Sequence, residues 1–94
     1  MSVSVARVPT ASASRYLQQL AKHWSHKMTV AFTAEEATID FPSGARLVMR
    51  ADIDTLDVAL TVPEGEDVAN MRGVVERHLD RFAFREAPLT FDWK

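Results

Sequence analysis

The chain of 94 residues contains no cysteine. That absence excludes disulfide staples and every zinc site built on thiolates, and it is compatible with a reducing compartment. No apolar run approaches the roughly 20 residues needed to cross a bilayer. The opening Met1-Ser2-Val3-Ser4-Val5-Ala6-Arg7 has neither the basic start nor the apolar stretch of a secretory signal. These features predict a cytoplasmic protein with no membrane partner. Excess positive charge is missing too: the formal net charge is −2. Backbone-directed nucleic-acid binding needs several Lys or Arg on one surface, so nucleic acid is not the expected partner. Glycine is scarce, and Asp40-Phe41-Pro42-Ser43-Gly44 has one glycine and no following lysine. It reads as a hairpin turn, not as a phosphate loop. Asp52, Asp54 and Asp57 lack the glycine and terminal glutamate of a calcium loop.

An apolar share of 47% and a charged share of 26% are those of an ordinary globular protein without disorder. There is no repeat, linker or low-complexity tract, so residues 1–94 are expected to form one α+β domain with a modest core. Val3, Val5 and Val8 predict a short opening strand ended by Pro9. Ser12 is a candidate N-cap, and Leu17, Leu20, Ala21, Trp24 and Met28 make one apolar helical stripe. From Met28 the period falls to two. Met28/Val30/Phe32, Ala37/Ile39/Phe41, Leu47/Met49 and Leu56/Val58/Leu60/Val62 then read as a four-stranded antiparallel meander. A second helix beginning near Glu66 carries Val68, Met71, Val75, Leu79 and Phe82 on its apolar stripe. Pro88 ends that segment, and Leu89, Phe91 and Trp93 predict a last short strand. The order β-α-β4-α-β predicts one twisted antiparallel sheet with both helices on one face. Thr29, Thr38, Asp40, Arg46, Arg50, Asp57 and Thr61 would line the other face.

The chemistry-bearing residues gather in and beside His78-Leu79-Asp80-Arg81-Phe82-Ala83-Phe84-Arg85-Glu86. On a helix this string divides: Leu79 and Phe82 face the core, and His78 borders it. Arg77, Arg81 and Arg85 form a basic end that complements the helix dipole. These arginines either pair with Glu76, Asp80 and Glu86 or, with His78, receive an anionic ligand or acidic partner. Arg81 and Arg85 bracket Phe82-Ala83-Phe84, so a guanidinium group can lie over an aromatic face. His23 and His26 near the end of the first helix complement its dipole, and with His78 they define an alternative three-nitrogen metal site. Gly73 costs about 1 kcal/mol relative to alanine in a helix interior. Its place away from the apolar stripe suggests a close backbone approach, as in a homodimer, or simple tolerance. No Ser-His-Asp or Cys-His set can be assembled, so no catalytic residue and no cofactor is expected.

Ser14-Arg15-Tyr16-Leu17, Leu20-Ala21-Lys22-His23 with His26-Lys27, Asp40-Phe41-Pro42-Ser43-Gly44, and His78 through Glu86 ending in Phe91-Asp92-Trp93 are similar to landmarks of a bacterial family. The chain resembles the domain-of-unknown-function family 2218 over essentially its whole length. The resemblance implies a small α+β domain with a TATA-binding-protein-like arrangement. It also implies a setting in siderophore-linked iron metabolism, since some relatives are associated with siderophore-interacting flavin reductase-like proteins. It supplies no catalytic residue. The function expected is therefore that of a non-enzymatic accessory or binding domain contacting a protein partner or small anionic ligand through Arg77, His78, Arg81 and Arg85. The alternative is a metal- or iron-chelate-binding protein using His23, His26 and His78.

Overall fold

The computed structural model describes all of residues 1–94. Its elements are β1 (Ser2–Pro9), α1 (Ala13–Trp24), β2 (Thr29–Phe32), β3 (Glu36–Asp40), β4 (Arg46–Ala51), β5 (Thr55–Val62) and α2 (Val68–Phe82). The five strands form one antiparallel sheet in the order β1-β5-β4-β3-β2. The meander expected from the period-two pattern is thus present, and β1 closes it by pairing with β5.

One sheet face is apolar because alternate residues of each strand point to the same side. Ala6 and Val8, Ala37 and Ile39, Leu47 and Met49, and Leu56, Val58, Leu60 and Val62 are buried there. Both helices cover this face. Leu17, Leu20, Ala21 and Trp24 of α1 are buried against it, as are Val75 and Leu79 of α2. Removing each such Val or Leu side chain from water is worth roughly 1.5–3 kcal/mol before chain entropy is counted. The opposite face carries the expected polar residues, tied by Arg46–Asp40 (2.7 Å), Arg50–Glu36 (2.6 Å) and Arg7–Asp57 (3.5 Å) ion pairs.

Several details refine or correct the expectations. Ser12 occupies the N-cap position of α1 without a side-chain cap bond, and its own N–H donates to Thr10 Oγ1 at 3.1 Å. The second helix starts at Val68, where the Asp67 side chain accepts from Asn70 N–H. In β1, Val3 and Val5 face outward while Ser4, Ala6 and Val8 face the core. Finally, Leu89 to Trp93 do not form a strand. The inward-outward alternation of side chains is real, but the tail runs back along α2 and its backbone pairs with β1 only at the last residue. There Lys94 N–H donates to Val5 O (2.8 Å) and Val5 N–H donates to Lys94 O (3.1 Å). Side chains fix the remainder: Trp93 Nε1 donates to Glu76 Oε2 at 2.6 Å, Arg72 lies over the Trp93 ring, and Phe91 stacks on Trp93.

Candidate anion-binding site on the helical face

The helices run antiparallel, so the start of α1 lies beside the end of α2. His23 meets His78 with ring centroids 5.8 Å apart, and His78 also sits 4.9 Å from the Trp24 ring. The Nδ1 of His78 is 2.7 Å from Val74 O. A carbonyl oxygen only accepts, so this nitrogen carries a hydrogen and the ring is held in one tautomer. Burial first, and then the neighbouring His78, Lys27, Arg81 and His26, lower the pKa of His23 below the ordinary histidine value.

Arg77, His78 and Arg81 line one groove of about 260 Å³, with no hydrophobic residue among them. Three of the four expected binding residues are therefore neighbours in space. Arg85 is not in that groove. It borders a second hollow of about 230 Å³ with Arg15, Tyr16, Gln19, Phe82 and Phe84. Its guanidinium group lies 5.7 Å from the centre of the exposed Phe84 ring, the stacking expected for one of the two bracketing arginines.

The acids expected to neutralise these arginines are engaged elsewhere. Glu76 accepts from Trp93, and Asp80 Oδ1 accepts from Leu89 N–H at 2.9 Å. Glu86 accepts from the buried hydroxyls of Tyr16 and Thr10. The bond to Glu86, then burial, raises the Tyr16 phenol pKa above its ordinary value. All three carboxylates thus hold the C-terminal segment in place, and Arg77, Arg81 and Arg85 form no ion pair. Of the eleven Lys and Arg residues, Arg7, Arg46, Arg50 and Lys94 are ion-paired, and Arg72 is bound to Ser4 Oγ and Trp93. The unpaired six (Arg15, Lys22, Lys27, Arg77, Arg81 and Arg85) all lie on α1, α2 or the turns that follow them.

Gly73 is explained by the same groove. A Cβ at this position would lie 2.8 Å from an Nη atom of Arg77. The missing side chain gives the Arg77 guanidinium a resting place one turn back along α2. The space beside Gly73 is thus occupied by the chain's own Arg77. Sequence reasoning also missed Arg15, because its nearness to Arg85 depends on how two distant helices cross.

The structure does not bring the three histidines of the metal alternative together. No group of three His, Asp or Glu side chains is arranged to hold a metal ion. His23 and His78 meet, but His26 lies past the end of α1 as an exposed residue of the following turn. A larger hollow, about 410 Å³, opens on the other sheet face over Val5, Val48 and Ala59. The Arg7, Arg50 and Lys94 side chains at its rim already have acidic partners, so it presents little free charge.

The model of an uncharacterized protein family conserved in bacteria, DUF2218, matches residues 5–94. The chain belongs to this family. Among solved structures it is similar to the NMR structure of PA4090 from Pseudomonas aeruginosa, at 36% identity and a TM-score of 0.81, with 100% of this chain and 96% of that one covered. That protein shares the small α+β fold of this chain. No curated protein matches the chain. No helix is long and apolar enough to cross a membrane.

Proposed function

We propose that this DUF2218 domain is a non-catalytic binding module that takes a small anionic ligand on its helical face, at Arg77, His78 and Arg81. The observation that carries this reading is the division of charge. Cations of the open sheet face are neutralised in place, whereas those of the helical face have been stripped of acidic partners by the contacts that hold the tail. Two guanidinium forks and an imidazole around one hollow suit a compact oxyanion, because charge-assisted and bidentate bonds are the strong ones. The family resemblance adds a setting, siderophore-linked iron metabolism in the cytoplasm, in which a siderophore-interacting reductase would be the neighbouring protein. Arg85, Arg15 and exposed Phe84 lie at the end of the same helical face and suit contact with such a neighbour.

Isothermal calorimetry with phosphate, sulfate and citrate tests the proposal. At least one should bind saturably and weaken about tenfold or more in the Arg77→Ala/Arg81→Ala double variant, each lost charged hydrogen bond being worth about 1.5–3 kcal/mol. Equal affinity in wild type and variant would remove the groove as the site.

A further inference from the structure

We propose that anion binding in the Arg77–His78–Arg81 groove is coupled to the uptake of one proton by His78, so that the site loads at mildly acidic pH and empties as pH rises. The inference rests on the anion-binding reading above and adds to it the ligand chemistry and the control. Val74 O holds Nδ1–H of His78 at 2.7 Å, which leaves Nε2 as the free ring nitrogen. In the neutral ring Nε2 bears a lone pair and repels an oxyanion. It donates only when the ring is the imidazolium ion. The Val74 carbonyl therefore blocks the route by which a neutral histidine serves anions, rotation or tautomer exchange that presents an N–H.

The surroundings favour the same switch. The charged and titratable groups facing the His23–His78 pair are His26 and Lys27 beyond α1 and Arg77 and Arg81 on α2. The α2 carboxylates Glu76 and Asp80 are turned to the tail. In the empty site a proton on His78 thus has cations for neighbours and no counter-ion. A bound oxyanion supplies that counter-ion, so anion and proton stabilise one another, and linkage makes the effect reciprocal. Imidazole is the side chain whose ordinary charge change falls nearest neutrality. Half-buried His23, whose pKa is lowered by burial and then by the neighbouring cations, forms one wall beside His78. The ligand class is a compact, permanently charged oxyanion group, because the side chains lining the hollow of about 260 Å³ are two guanidiniums and an imidazole.

Sulfate is the probe, because its own charge does not change over this range. Calorimetry of the full chain in buffers of differing ionisation enthalpy should show uptake of about one proton per sulfate near neutral pH. The sulfate Kd should tighten about tenfold or more from about pH 8 to about pH 5.5, as expected for one linked proton. In His78→Gln the amide donates without a proton, so sulfate should bind with an affinity that changes less than about twofold over that range. His26→Gln, outside the groove, should keep the wild-type pH dependence. Saturable binding without proton uptake, or a pH dependence that survives in His78→Gln, overturns the coupling while leaving the anion site standing. No saturable sulfate binding at either pH overturns both.

Discussion

Replacing Gly73 by alanine should separate what holds this fold together from what the helical face binds. In an exposed helix interior the exchange gains about 0.8–1 kcal/mol of helix propensity. The new Cβ would sit 2.8 Å from an Arg77 Nη atom, 3.6 Å from its Cζ, and near nothing else outside the helix's own backbone. The atoms that must move are the far end of a long, exposed side chain with no ion-pair partner, so displacing them costs a few tenths of a kcal/mol at most. The net expectation is a gain of about 0.5–1 kcal/mol, seen as a higher urea midpoint with an unchanged slope. For a domain of this size that corresponds to a rise in Tm of about 2–8 °C. Anion binding should move the other way, because the Arg77 guanidinium loses its resting place; a loss of about threefold or more is expected, under the range for a charged hydrogen bond lost outright. A destabilised Gly73→Ala protein would refute the account of the glycine and show that something other than Arg77 needs the space. A stabilised protein with unchanged affinity would keep the steric account and refute the link to binding.

Tyr16→Phe removes a buried hydroxyl that donates to Glu86 and should cost about 1–2 kcal/mol in urea unfolding, at the lower end for bonds to a charged group because Glu86 itself stays exposed. Cost-free replacement would mean that the latch holding the tail to α1 contributes nothing. The raised Tyr16 pKa predicts a stability term that is complete below the ordinary tyrosine value and lost as pH climbs through the folded one; an alkaline urea series should show it in wild type and not in Tyr16→Phe. The lowered His23 pKa has the opposite sense: the unfolded chain takes up the proton first, so stability falls as pH drops below the ordinary histidine value. A smaller acid dependence in His23→Gln than in wild type would bear this out, and an identical one would refute it.

Much of the fold was legible because it follows from two periods. The 3.6-residue stripe of Leu17, Leu20, Ala21 and Trp24 and the alternation of Leu56 to Val62 each need one apolar side covered, and a single sheet under two helices provides it. The tail was read as a strand from an alternation that is correct in exposure. What decides pairing, however, is where the chain runs, and Trp93 is drawn toward Glu76 and Arg72 of α2, so only Lys94 reaches β1. The site was half legible. Arg77, His78 and Arg81 are one turn or less apart on one helix, and local spacing placed them together. Whether those arginines are free depends on Glu76, Asp80 and Glu86, whose partners Trp93, Leu89, Tyr16 and Thr10 lie between 9 and 76 residues away in the chain. No local pattern carries that information. The same holds for the meeting of His23 with His78, and for the failure of His26 to join them.

The central claim is that the helical face, with its unpaired cations, is the binding surface. Backbone and arginine side-chain ¹⁵N shifts recorded during a sulfate titration test it most directly. The account predicts saturable changes at Arg77, His78 and Arg81, fading along α2 and into the end of α1 near His23, with the sheet residues Val5, Val48 and Ala59 unmoved. Changes centred on the open sheet face, or none that saturate, would contradict it.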